Sequence, residues 1–149
     1  MHAPMKKTIA KDCPCFSGKP YKECCKPRHD GTRPAETPEA LMRSRYAAFA
    51  LGLGAYLADT LATDHEDRAA PRDALVRELS RVKDRQRFMG LRIVEAKDDE
   101  VLFVARIFEK GQDRSFAERS TFVREDGAWK YARGTFVALD DPALSREEG

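Results

Sequence analysis

The chain has 149 residues, of which 42% are apolar and 35% are charged, a composition typical of a soluble globular domain. No apolar run approaches the roughly 18–20 residues that a membrane-spanning helix needs. Because the first ten residues hold lysines but no apolar segment of a secretory signal, we expect a cytoplasmic protein whose cysteines stay reduced.

The net charge of +2 is unevenly distributed along the chain. Residues 1–33 hold eight Lys and Arg against three Asp and Glu, which gives a charge of +5. The remaining residues therefore carry a net charge of −3. The basic residues therefore accompany the cysteines. This pattern predicts either a contact surface for an acidic partner or an ordinary solvated terminus.

All four cysteines lie within thirteen residues, as Cys13, Cys15, Cys24 and Cys25. Two close pairs separated by a loop can supply the four sulfur ligands that zinc takes in a tetrahedron. With all four positions filled, the predicted site is structural and holds one zinc ion. Four free thiols or a redox pair remain as alternatives, and His29 could replace Cys25 as the fourth ligand.

Residues 34–86 show helical patterns. Thr37 is a predicted cap and Pro38 a predicted first helical residue. Gly52 and Gly54 mark a break, after which we expect a short helix over 55–61 and a further helix beginning at Asp73. The first helix has one predicted buried face, made by Leu41, Met42, Arg45, Tyr46, Phe49 and Leu53.

Residues 87–138 read as four strands joined by short loops, over 88–96, 101–108, 116–123 and 129–137. Residues 110–113 are a predicted turn, and Asp126-Gly127 favours a tight hairpin turn. Helices followed by an antiparallel meander predict an α+β fold, with the helices packed on one face of a curved sheet of about four strands. We predict that the acidic tail, 139–149, is disordered.

The stretch from Cys13 to Cys25 resembles the SEC-C motif, a zinc-binding motif known from the tail of the translocase motor SecA. Its usual form reads Cys-Pro-Cys-Gly-Ser-Gly-Lys-x-Tyr-Lys-x-Cys-Cys/His. Phe16 stands where the motif has glycine, which removes no ligand. The resemblance implies that the four cysteines are the metal ligands.

Residues 39–49, followed by Tyr56-Leu57, resemble the bacterial YchJ family. That resemblance implies a domain with the cystatin-like fold of nuclear transport factor 2, preceded by the SEC-C motif, and it implies no particular reaction. The expected organisation is a SEC-C motif with a basic extension over 1–33, the nuclear transport factor 2-like domain over 34–138, and the tail.

Our leading functional hypothesis is a binding or adaptor protein without enzymatic activity, whose basic zinc knob contacts a protein partner. The alternative for the same surface is nucleic-acid or ribosome binding, since basic and aromatic residues interleave there. The candidate partner-binding residues are Phe16, Lys19, Tyr21, Lys22, Lys26 and Arg28.

Folds of this type enclose a conical cavity between the sheet and the long helix, so small-molecule binding or lyase- or isomerase-type catalysis is a third hypothesis. Core packing and ordinary surface positions explain the same residues without a ligand. The sequence does not determine the oligomeric state. The candidate cavity residues are Arg45, Tyr46, His65, Trp129, Tyr131 and Arg133.

Overall fold

Helices occupy the first half of the chain and strands the second, as the sequence predicts. The structure is a computed structural model that describes residues 12–145. The helices are α1 (Lys26–Asp30), α2 (Pro38–Leu51), α3 (Gly54–Asp59), α4 (Arg72–Ser80) and α5 (Val82–Arg85). Single 3-10 turns cover Tyr21–Glu23, Glu66–Ala69 and Pro142–Ser145. The strands are β1 (Arg87–Lys97), β2 (Glu100–Glu109), β3 (Gln112–Asp113), β4 (Phe116–Glu125) and β5 (Ala128–Val137).

Helix α2 begins and ends where the sequence predicts. The hydroxyl of Thr37 accepts a 3.0 Å hydrogen bond from the amide of Ala40, and Pro38 is the first helical residue. Gly52 ends the helix with φ +77°, a dihedral that glycine adopts without steric cost. No helix within residues 12–145 is both long and apolar enough to cross a membrane.

The sheet is an antiparallel meander in the order β1-β2-β4-β5. The predicted turn over 110–113 is only partly right, because Gln112 and Asp113 form the short strand β3 against the end of β2. Asp126 and Gly127 have φ values of +53° and +82° and connect β4 to β5 in the predicted tight hairpin.

The main core lies between α2 and one face of the sheet. It contains Leu41, Met42 and Tyr46 of the helix against strand residues such as Ile93 and Phe103. The other side of α2 is buried too: Ser44, Ala47 and Ala48 have no exposed surface. The cysteine knob, which we define as residues 12–31, packs directly against the helix at Ala47, whose small side chain allows the close approach.

The prediction of a disordered tail from residue 139 is wrong for its first part. Residues 142–145 form a 3-10 turn, and Leu144 is 5% exposed. Its side chain packs against Val94, Leu102 and Ala117 on the sheet face opposite α2. This apolar contact fixes the segment, while residues 146–149 lie outside the described part of the chain.

Candidate functional site

The four cysteines converge on one buried point. Their sulfur atoms all lie within 4.8 Å of one another, and none of them forms a disulfide. Four sulfurs bound tetrahedrally to zinc at about 2.3 Å would be separated by roughly 3.8 Å. The Sγ atoms of Cys15 and Cys24 are 3.6 Å apart and those of Cys24 and Cys25 are 3.9 Å apart. The cluster could therefore hold a metal ion.

Two backbone turns bring the cysteine pairs together. The amide of Cys13 donates to the carbonyl of Lys19 at 2.9 Å, and Asp12 pairs with Pro20. Gly18, at φ +88°, supplies the reversal between them. The 3-10 turn after Pro20 then delivers Cys24 and Cys25 just before α1.

The sulfur cluster is electrostatically coupled. Hydrogen bonds from Cys13 and Cys25 lower the pKa of the Cys15 thiol. The hydrogen bond with Cys15 raises the pKa of Cys13 to about 12. Hydrogen bonds with Cys13 and Cys15 also raise the pKa of Cys25. These three thiols therefore favour a single thiolate, on Cys15, unless a cation balances the added charge. The hydroxyl of Ser17 lies 3.1 Å from the Sγ of Cys24. The guanidinium of Arg28 donates to the Sγ of Cys25 at 3.8 Å.

His29 is not placed as a ligand, because both of its ring nitrogens have other partners. Nε2 lies 2.8 Å from the carbonyl oxygen of Ser44, so it carries the proton and donates. Nδ1 therefore accepts from the hydroxyl of Tyr21, also at 2.8 Å. The ring also packs edge-on against Tyr56, 4.8 Å between centroids. His29 thus joins the cysteine knob to α2.

A cavity of about 320 Å³ lies between α2, the α4–α5 segment and the sheet. Four of the predicted cavity residues line it: Arg45, Tyr46, His65 and Tyr131. Its remaining walls are mainly apolar and include Phe49, Leu79, Val82, Phe88, Phe103, Ala105, Ile107 and Phe116.

Two predicted residues, Trp129 and Arg133, do not line the cavity. The indole of Trp129 donates to the carbonyl of Glu36 at 3.2 Å, beneath the guanidinium of Arg124. In a regular strand Arg133 would lie on the same face as Tyr131, but this strand has a bulge at Ala132. An extra residue shifts the alternation of side chains, so Arg133 is exposed beside an open groove.

The matching family model is that of the YchJ middle domain, described as nuclear transport factor 2-like, over residues 37–134. This chain belongs to the YchJ family. It is 47% identical over 122 residues to a UPF0225 protein of Deinococcus radiodurans, covering 81% of this chain and 86% of the relative. To the UPF0225 protein YchJ of Shigella dysenteriae it is 39% identical over 129 residues, covering 83% and 82%.

A solved structure of a similar protein has the same architecture over most of this chain. The solution structure of a SEC-C motif containing protein from Rhodopseudomonas palustris matches with a TM-score of 0.70 and 37% identity. The match covers 85% of this chain and 98% of the other. The likeness therefore extends beyond the sheet domain to most of the chain.

Phe16 is the most unusual residue of the knob. Its φ of +64° lies in the left-handed region, where glycine is favoured and a bulky side chain is strained. This explains physically why a glycine suits that position in the motif. The residue nevertheless remains 48% exposed, and its ring packs edge-on against Tyr46 at 6.1 Å between centroids.

The other candidate partner-binding residues divide into two groups. Lys19 and Lys22 are exposed and form no ion pair within residues 12–145. The remaining three already have partners in the fold: Tyr21 binds His29, Lys26 pairs with Asp30 at 2.7 Å, and Arg28 faces Cys25. Lys26 remains exposed despite its ion pair, whereas Tyr21 and Arg28 are partly buried.

Sequence reasoning missed the polar residues that complete the cavity of this YchJ protein. The carboxylate of Glu118 accepts hydrogen bonds from Tyr131 at 2.7 Å and from the fully buried Ser120 at 2.6 Å. Burial, and secondarily Glu118, raises the pKa of the Tyr131 phenol. The available signal was Glu118 and Ser120 alternating on β4 between the inward-facing Phe116 and Phe122, where apolar residues are expected.

Proposed function

We propose that the four cysteines hold one structural zinc ion. The sulfur spacing matches a tetrahedral tetrathiolate, and a borderline-soft divalent cation is what four thiolates prefer. Four protein ligands leave no coordination position for water or substrate, so the ion would stabilise the knob and perform no reaction. We place this thiolate site in the reducing cytoplasm, where such ligands persist.

Metal analysis tests this proposal directly. Protein purified without added metal should contain about one zinc per chain, as four ligands require. Cys24→Ser should lose most of the zinc, whereas Ser17→Ala, which removes only a hydroxyl beside Cys24, should retain it. Zinc-free wild-type protein with a fully folded knob would contradict the proposal.

We further propose that the metal serves a binding role, in which the knob contacts an acidic protein surface. The observation that supports this is the ring of Phe16, held exposed at positive φ beside the exposed lysines Lys19 and Lys22. Core packing alone does not account for a strained aromatic residue that is nearly half exposed, and aromatic anchors are common at protein interfaces. Since His29 fixes the knob to α2, this surface is presented in one orientation.

A comparison of variants tests the binding surface. Proteins captured by the wild-type chain should be lost with Lys19→Glu/Lys22→Glu and also with Phe16→Gly. The matched control is Lys97→Glu, an exposed lysine on the hairpin between β1 and β2 that does not belong to the knob. Equal capture by the wild type and both knob variants would refute this role.

Nucleic-acid binding is the weaker use of the same surface. Two unpaired lysines would neutralise about two phosphates, which gives a slope of roughly −1.8 for log K against log salt on duplex DNA. Such a slope corresponds to weak binding. A steeper slope in a salt titration with duplex DNA or RNA would favour this alternative over a protein partner.

A further inference from the structure

The cavity of the sheet domain has one polar end and an otherwise apolar wall. The polar groups are contiguous around Tyr131: its hydroxyl binds Glu118 at 2.7 Å, its ring lies 5.6 Å from that of His65, and the guanidinium of Arg45 lies over it at 5.1 Å. From this end the walls of Phe49, Phe88, Phe103 and Phe116 continue between α2 and the sheet.

Arg45 is a buried cation without a carboxylate partner. Arg45 is only 7% exposed. Within residues 12–145 no carboxylate forms an ion pair with its guanidinium. Both of its hydrogen bonds there come from Nη1, to the carbonyl of Leu57 at 2.8 Å and to the hydroxyl of Thr60. Nε and Nη2 have no protein acceptor in the described chain. Burial lowers the pKa of Arg45 to about 10.

An unpaired buried charge is costly to retain unless something pairs with it. Guanidinium groups bind planar carboxylates through two parallel hydrogen bonds, and the free nitrogens Nε and Nη2 have the spacing for such a pair. The nearest acidic groups do not fill this role, since Glu118 is bound by Tyr131 and Ser120 and the side chain of Asp67 is 52% exposed.

We propose that this cavity binds a small apolar carboxylate, with its carboxylate group on Arg45 and its apolar body against the phenylalanine wall. The volume of about 320 Å³ is at the lower end of the range of known small-molecule sites, so the ligand has modest size. Glu118 limits affinity through its negative charge and orients Tyr131. This site is separate from the cysteine cluster, and the proposal does not depend on zinc.

Three probes that share one eight-carbon alkyl chain but differ in the charge of the head group separate charge recognition from simple apolar binding. Octanoate, octanol and octylammonium should be titrated into the full-length chain by calorimetry, with binding mapped by amide chemical shifts. Octanoate should bind at least tenfold more tightly than octanol, and octylammonium should not bind. The largest shifts are expected at Ala105 and Ile107, which line the cavity from β2.

Variants test the assignment of Arg45 and Glu118. Glu118→Gln keeps an acceptor for Tyr131 but removes the negative charge. Octanoate should therefore bind at least threefold more tightly, whereas the affinity for octanol should not change. Glu100→Gln, an exposed carboxylate that does not line the cavity, is the matched control and should change neither. Arg45→Met should abolish the preference for octanoate, and Ala105→Leu should weaken both ligands by narrowing the cavity.

Two results would overturn the proposal. The first is octanol binding as tightly as octanoate, or no binding of either, in a chain whose Trp129 fluorescence shows a native fold. The second is an unchanged octanoate affinity in Glu118→Gln. Because Arg45 also bonds to Leu57 and Thr60 and its variant can lose stability, the Glu118→Gln result decides the question when Arg45→Met does not fold.

Discussion

Replacement of His29 by alanine tests whether the cysteine knob and the sheet domain unfold as one unit. The change removes two hydrogen bonds, to Tyr21 and Ser44, and the edge contact with Tyr56. With about 1 kcal/mol for each hydrogen bond and about 1 kcal/mol for the aromatic contact, the free energy of unfolding should fall by about 3 kcal/mol. In a chain of this size that lowers Tm by roughly 6–12 °C.

The fluorescence of Trp129 is a suitable assay because it is the single tryptophan of the chain and lies on β5, outside the knob. Its side chain packs against the main core between α2 and the sheet, so it reports the unfolding of that core. The control is Lys26→Ala, on the same short helix, which breaks an exposed ion pair worth no more than about 0.5 kcal/mol. A Trp129 midpoint unchanged in His29→Ala, with the metal content retained, would refute the claim that the two parts are coupled.

Three further changes probe other contacts. Chelation of the proposed zinc ion should lower the Trp129 midpoint by at least as much as His29→Ala, and an unaffected midpoint would show that the knob folds independently. Leu144→Ala should cost about 2–4 kcal/mol in chemical denaturation because it empties an apolar site on the sheet; a loss below 0.5 kcal/mol would mean that the tail does not pack there. Ala47→Leu should cost about 1–3 kcal/mol and weaken zinc retention, because it overfills the contact between α2 and the cysteines; retention equal to the wild type would contradict that contact.

Much of the fold follows from local signals in the sequence. The cap at Thr37, the helix break at Gly52 and the Asp126-Gly127 hairpin all depend on residues within a few positions, and each is found as predicted. The disposition of the tail depends on a long-range contact instead. Acidic neighbours suggested disorder, and only the folded sheet provides the apolar surface that holds Leu144.

The candidate sites show the same division. The clustering of the cysteines was predictable because close spacing in sequence leaves few other arrangements. By contrast, His29 joins the knob to α2 through its bond to Ser44, which lies fifteen residues further along the chain. Ala47 lies on the helix face that the knob covers, but a small apolar residue within a helix gives no sequence signal of such a contact. Arg133 does not line the cavity because the bulge at Ala132 shifts the alternation of side chains along β5, and bulges carry no reliable sequence signal.

The measurement that tests the central claim most directly is zinc K-edge X-ray absorption on the purified full-length chain. A closed tetrathiolate predicts four sulfur neighbours at about 2.3 Å and no nitrogen or oxygen shell. The same spectrum should be recovered from His29→Ala protein, since His29 bonds to Tyr21 and Ser44. A nitrogen neighbour that disappears in His29→Ala, or a folded chain that contains no zinc, would contradict the account.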